Sequence, residues 1–315
     1  MFSADFPLDF PTFEEAKKDF NELVDTSFSS LEKTGEWFSR SEFSSSLKLD
    51  RYIDFNRTGL LSSHFFHAST RYACDSLTSP SVIRGWYEPK IRATLENCKF
   101  FETNPKTALV LRKYLPSQFR PSAAKHIIER FQPQSFYDPC AGWGDRLTAA
   151  MACQVPKIYL RDVNPLAFCG YTQQVKNFCP PYCEVKMELF GCENPSGLND
   201  IDLILTSPPY YRTEHYQGEL QSFRKFKKFP DWLNGFLFKM IQNCLDSLSP
   251  TGTFILNVSD VYANHEYNRI VQPILDTFNK NVTGIMGYRM MKRMNSKSDN
   301  DGIFCEPMII MQRTS

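Results

Sequence analysis

The chain has 315 residues, enough to bury one large core or two modest ones, and its formal net charge is +1. That balance excludes a global field drawing it to nucleic acid, so any such binding must use local patches. Ten scattered cysteines and a first apolar run broken by Asp5, Pro7, Asp9 and Pro11 predict free thiols, no signal peptide and a cytoplasmic or nuclear setting. No run approaches the ~20 apolar residues of a membrane span, so no membrane partner is expected. Cys179, Cys183 and Cys192 fit no zinc spacing and lack a nearby histidine, so no metal site is expected either.

Thr12-Phe-Glu-Glu15 reads as a capping box, followed by Phe13, Ala16, Phe20, Leu23 and Val24 at helical spacing. Ser27 to Ser46 is rich in Ser and Phe with weak periodicity, consistent with short helices or a mobile loop. Ser62 to Leu77 is helical again, and another helix spans Asn104-Pro105 to Tyr114. Residues 1–116 are therefore expected to form a mainly helical extension, and 117–315 a second unit. His64, His67, Arg71, Arg84, Trp86, Tyr87, Lys90 and Arg92 mix bases with aromatics, which suits phosphate contact and base stacking. The same mixture also describes core aromatics with a solvated charged face; substrate recognition is the reading for the region as a whole.

Pro121 to Phe131 is a helix opened by proline. Phe136 and Tyr137 then end a strand, Asp138-Pro139 turn the chain, and Gly142 and Gly144 permit close backbone approach before a helix from Leu147 to Cys153. Such a turn can hold a dinucleotide phosphate, but the third glycine of that fingerprint is missing and an acid opens the loop, which suits a cationic cofactor better. A second strand, Lys157 to Asp162, ends in an acid placed either to hydrogen-bond a ribose diol or to cap the next helix; its position after the glycine loop favours the ribose. Tyr182 to Met187 reads as a third strand, followed by the loop Glu188 to Glu193.

Leu203 to Leu205 is a short buried strand stopped by Pro208-Pro209, leaving Ser207, free carbonyls and Tyr210 at its carboxyl end. Cys179-Pro-Pro-Tyr-Cys183 repeats the Pro-Pro-Tyr but follows a helical segment, so it reads as a plain loop. Downstream, Pro230 to Leu248 forms an amphipathic helix, Thr253 to Val258 a fifth strand, and Val282 to Tyr288 with Met308 to Gln312 a closing antiparallel pair. Two basic connections flank the substrate side, Arg224-Lys-Phe-Lys-Lys228 and Arg289 to Lys297. The first is read equally as a solvated lid face or as phosphate contact.

Asp138-Pro-x-x-Gly142-x-Gly144 resembles the first cofactor motif of S-adenosylmethionine-dependent amino-methyltransferases. Ser207-Pro-Pro-Tyr210 resembles the catalytic motif of those that modify nucleobases, the N4-cytosine/N6-adenine DNA methyltransferase family. The resemblance covers Pro121 to the C-terminus and implies an α/β fold, a Rossmann-like seven-stranded methyltransferase sheet carrying the N-terminal mainly helical extension. It implies S-adenosyl-L-methionine as cofactor, held by Ser122, Asp138, Cys140, Ala141, Gly142, Trp143, Gly144, Asp162, Val163 and Ser207. Ser207, Pro208, Pro209 and Tyr210 are then the catalytic residues. The Ser207 hydroxyl and Pro208 carbonyl accept hydrogen bonds from the amine, and Tyr210 stacks on a flipped base. Tyr211, Arg224, Lys225, Lys227, Lys228, Lys292 and Arg293 are the expected substrate contacts. The partner is nucleic acid, DNA favoured over RNA, with the serine form leaning toward cytosine N4 over adenine N6. RNA methylation at adenine N6 or guanine N2, or a catalytically inactive binding subunit, are the alternatives. Trp143, bulky between two glycines, is the departure from the family pattern that bears on the last of these.

Overall fold

The computed structural model describes residues 6–263, 265–290 and 302–314. The capping box forms as expected: the Glu15 amide donates to the Thr12 hydroxyl at 3.2 Å, and the Thr12 amide donates to the Glu15 carboxylate at 2.7 Å. It opens helix α1 (Phe13–Asp25). Between Ser27 and Ser46 the chain makes one 3-10 turn and two short strands, β1 (Glu32–Thr34) and β2 (Trp37–Phe38), followed by β3 (Arg51–Ile53). Strands this short carry no readable period; their partners elsewhere in the sheet define them. Helix α2 (Leu60–Tyr72) stops five residues before its expected end, because Asp75–Ser76 is drawn into a strand, β4. Helices α3 (Val82–Tyr87), α4 (Pro89–Glu96) and α5 (Pro105–Arg112) close this region around Tyr72, Val82, Trp86, Leu95 and Leu109.

From Pro121 onward, helices alternate with strands: α6 (Pro121–Phe131), β5 (Ser135–Asp138), α7 (Asp145–Ala152), β6 (Lys157–Asp162), α8 (Pro165–Phe178), β7 (Glu184–Leu189) and β8 (Ile201–Thr206). A short strand β9 (Glu214–His215) and helices α9 (Ser222–Lys225) and α10 (Phe229–Trp232) follow. The expected amphipathic helix is broken there by a π-helical turn at Leu233–Leu237 before α11 (Phe238–Ser247). Gly235 in that turn lies against the Phe226 ring so closely that an added Cβ would sit 2.5 Å from it. The chain then forms β10 (Leu248–Asn257), a hairpin of β11 (Val261–Ala263) and β12 (Glu266–Asn268), helix α12 (Val271–Thr277), β13 (Val282–Arg289) and β14 (Ile303–Met311).

Seven of these strands pair in the order β7-β6-β5-β8-β10-β14-β13, with β14 antiparallel to both neighbours and the other pairings parallel. That is the seven-stranded Rossmann-like sheet expected. The order reverses between β5 and β8, the switch point at whose carboxyl ends open α/β sheets bind ligands. The N-terminal region adds strand as well as helix: β3 pairs in parallel with β13, β2 in parallel with β14, and β1 antiparallel with β3. Helix α1 lays Ala16, Phe20 and Leu23 into the same apolar cluster as Ile127 of α6, Leu147 of α7 and Leu203 of β8. No described helix is long and apolar enough to cross a membrane.

Candidate active site

The loop after β5 is anchored from below. Asp138 is fully buried, and its carboxylate receives the Arg146 guanidinium at 2.7 and 3.3 Å and the Thr206 hydroxyl at 2.8 Å. Arg146 also donates to the Cys140 carbonyl at 2.6 Å, so one buried cation holds both the acid and the loop it opens. Gly142 and Gly144 take positive φ of 57° and 68°, where a side chain is strained. At Gly144 an added Cβ would also strike the Gln174 amide at 2.1 Å.

Asp162 at the end of β6 accepts the Gly142 amide at 2.8 Å and the Asn164 amide at 2.9 Å. Helix α8 is capped by Asn164, whose side chain accepts the Leu166 amide, so the helix-cap role does not fall to Asp162. Burial pushes the Asp162 carboxyl upward, against the pull of those two amides.

Two cavities meet over the carboxyl ends of β5 and β8. The first, ≈ 750 Å³ including its open mouth, is lined by Cys140, Gly142, Trp143, Asp162, Val163, Phe190, Cys192, Ser207 and Pro209 among others. The second, ≈ 650 Å³, is lined by Gln118, Asp145, Arg146, Ser207, Pro208, Tyr210, Asn257, Tyr288 and Glu306 among others. Gly142, Trp143, Ser207, Glu214 and Tyr216 belong to both walls. Trp143 stands edge-on to Tyr216 with centroids 5.4 Å apart, forming part of the boundary between the cavities. Tyr210 is pinned by its hydroxyl, which donates to Glu306 at 3.1 Å.

The structure therefore gathers Cys140, Gly142, Trp143, Asp162, Val163 and Ser207 on one cavity, and Ser207, Pro208 and Tyr210 on the other. Asp138, Ala141 and Gly144 lie beneath the loop and line neither; Ser122 is buried in α6 and donates to the Asn56 carbonyl at 3.2 Å. Tyr211 turns away from the site. It is 2 % exposed, packs on Phe229 and Trp232, and donates to the Lys227 carbonyl at 2.7 Å, so it is a core residue instead of a substrate contact. In the first basic cluster, Arg224 pairs with Glu219 at 2.8 Å and Lys225 with Glu193 at 2.7 Å, while Lys227 and Lys228 face solvent. Lys292 and Arg293 lie outside the described residues. Tyr182 of the second Pro-Pro-Tyr is 60 % exposed in the turn after α8, as a plain loop requires. No cluster of three metal-ligating side chains occurs among the described residues.

Sequence reading missed Glu214, Glu306, Asn257, Gln118 and Asp145. A lone acid or amide in a loop or closing strand has no local signature. The burial that gives each of these residues meaning comes from distant chain.

Residues 201–314 match the family described as DNA methylase. The matched stretch includes Ser207–Tyr210 and agrees with the resemblance those residues carry. No curated protein matches the chain. Among solved structures, an rRNA methylase from Streptococcus thermophilus is 13% identical with a TM-score of 0.42, covering 64% of this chain and 100% of its own. An O-methyltransferase from Thermotoga maritima is 13% identical with a TM-score of 0.40, covering 64% of this chain and 68% of its own. Superpositions this loose add nothing to what the strand order already establishes.

Proposed function

We propose that the protein transfers a methyl group from S-adenosylmethionine to the exocyclic amino group of a nucleobase in DNA, cytosine N4 ahead of adenine N6. The observation that carries this reading is Ser207: it lies on the shared wall of two cavities, one lined by the glycine loop and Asp162 and the other by polar and aromatic side chains. The family match over residues 201–314 supports the same reaction class.

The first cavity fits the cofactor by its chemistry. Asp162 and Glu214 line it and, among the described residues, no lysine or arginine does, which suits a cationic ligand and opposes a pyrophosphate. Asp162 would hold the ribose hydroxyls, Val163 and Phe190 the adenine faces, and the Gly142 backbone the methionine portion. When bound, S-adenosylmethionine supplies an electrophilic methyl group.

The chain's own residues act on the amine. Its lone pair is delocalised into the base, so it attacks poorly until the N–H bonds are turned out of the ring plane. The Ser207 hydroxyl and Pro208 carbonyl would accept them, and the Tyr210 ring, whose hydroxyl is held by Glu306, would stack on the base; that all three residues line the second cavity supports this. A flipped base loses a few kcal/mol of stacking, of which an aromatic face returns about 1–3 kcal/mol.

Incubation with methyl-labelled cofactor and either plasmid DNA or total RNA, followed by digestion and nucleoside chromatography, tests the proposal. N4-methylcytosine is expected, and N6-methyladenine in DNA would move the target base. Label confined to RNA would move the substrate, and label in neither polymer overturns the reading.

A further inference from the structure

Glu214 is a half-buried acid on the short strand β9, four residues after Tyr210. It is shared by both cavity walls, so its place is where cofactor and acceptor meet. Its two oxygens differ. Oε1 accepts the Tyr114 hydroxyl at 3.2 Å, whereas Oε2 is out of solvent and has no hydrogen bond of ordinary geometry. A buried polar atom without a partner is costly and calls for an explanation. The N-terminal region holds the acid in this position: β9 pairs with β4, Asp75 against His215 and Ser76 against Glu214, and Gln217 donates to the Thr70 carbonyl at 3.2 Å.

Resting on the methyl-transfer reading above, we propose that the Glu214 carboxylate faces the transfer point and accepts the proton released by the acceptor amine. The amine lone pair forms the N–C bond as the C–S bond gives its electron pair to sulfur. The nitrogen, now cationic, loses one N–H proton to the Glu214 carboxylate, and the resulting carboxylic acid later returns that proton to water. Ser207 is too weakly basic for this step, and its hydroxyl serves better as an acceptor that orients the amine.

The surroundings suit a group that changes protonation near neutrality. Burial raises the Glu214 pKa to about 7, against the Tyr114 hydroxyl, with the Glu306 carboxyl pushing it further up and the backbone amides of Tyr210 and Glu214 pulling it down. The other titratable groups around it are Tyr210 and Tyr216, both raised by burial, Cys74, whose thiol is pushed up by burial and by Glu214, and Arg212 and His215 on its own segment. None of the described neighbours forms an ion pair with Glu214, unlike Asp138 with its arginine.

The first experiment needs no methyl acceptor. Calorimetry at pH 8 compares S-adenosylhomocysteine with sinefungin, which carries an amine-bearing carbon in place of the methylsulfonium. If Glu214 faces that position, wild type prefers the ammonium, and the preference falls at least tenfold in Glu214→Gln and at pH 5.5; an unchanged ratio overturns the proposal. The second follows single-turnover transfer to whichever nucleic acid accepts label, from pH 5.5 to 8.5. Wild type should lose rate as pH falls through about 7, and Glu214→Gln should be roughly 10²–10⁴-fold slower with no such limb. Tyr114→Phe, which leaves the acid in place, should move the limb to higher pH. Retention of the wild-type rate and limb by Glu214→Gln overturns the proposal even if label enters DNA as expected. If no nucleic acid accepts label, the base-methylation reading fails, and the ammonium preference decides where Glu214 points.

Discussion

Asp138 and Glu214 are both acids set beside the carboxyl ends of central strands, the first fully buried and the second half-buried, and they are treated in opposite ways. Asp138 has an arginine, a hydroxyl and a backbone amide on its oxygens, at 2.7, 2.8 and 3.2 Å. Glu214 has a tyrosine hydroxyl on one oxygen and, among the described residues, only the weak pull of the Tyr210 and Glu214 amides besides. The loop after β5 is thus finished scaffolding, electrically closed before any ligand arrives. The segment after β8 is left incomplete: His215 Nε2, Gln217 Oε1 and Gln221 Oε1 are also buried without partners. Unsatisfied polar atoms occur elsewhere too, on Trp37, Trp86 and Arg120 among others, but those on this segment adjoin the cavities, whereas a satisfied ion pair marks what must not move.

Breaking the closed network should produce the largest effect. Arg146→Ala strands the Asp138 charge in the core and is expected to cost about 3–5 kcal/mol in denaturant unfolding. The double variant with Asp138→Asn should cost less than the sum of the two single changes, because the stranded charge is gone. The open network should respond to pH instead. The folded pKa of Glu214, about 7, lies above its unfolded value, so the stability this group contributes is complete below the unfolded pKa and is lost as pH rises through 7. Glu214→Gln does not titrate, so its stability relative to wild type should rise between pH 5 and pH 8 by about 2–3 kcal/mol, read from melts at the two pH values.

Smaller effects sharpen the contrast. Tyr210→Ala should lower turnover by an amount equivalent to about 1–3 kcal/mol of base stacking, while cofactor affinity by calorimetry stays nearly intact. Loss of cofactor binding in that variant would mean that Tyr210 serves the other cavity. Lys227→Ala with Lys228→Ala should leave stability within about 0.5 kcal/mol and, if these side chains touch phosphate, reduce the salt slope of DNA binding by about 1 for each residue removed.

The sheet was legible because its central strands are uninterrupted apolar runs, such as Leu203-Ile-Leu205, separated by helices at readable period. The first cavity followed from the glycine loop and Asp162, which belong to consecutive strands. What escaped the sequence depends on distant pairing. Tyr114 meets Glu214 across 100 residues, and β3 meets β13 across more than twice that separation. Tyr210 and Tyr211 show the limit at shortest range. Once Pro208-Pro209 ended the strand, no alternation said which ring faced the cavity, and only the packing of Trp232 and Phe229 on Tyr211 decides it.

The strands that residues 32–53 lend to the sheet have a consequence beyond the site. Without them β13 would be a border, an eight-residue strand with Ile285, Met286 and Tyr288 buried and its outward amides unpaired. Such a border invites a second molecule to add its own strand. As it stands, β3 pairs with β13 at Gly287 and Tyr288 and passes that end of the border to β1, three residues reading Glu-Lys-Thr with two of them exposed; at the far side lies β7, which alternates Glu184, Lys186 and Glu188 with apolar residues. The outermost strands are therefore short or charged, and the N-terminal region shortens the stretch of β13 at which a second backbone could pair.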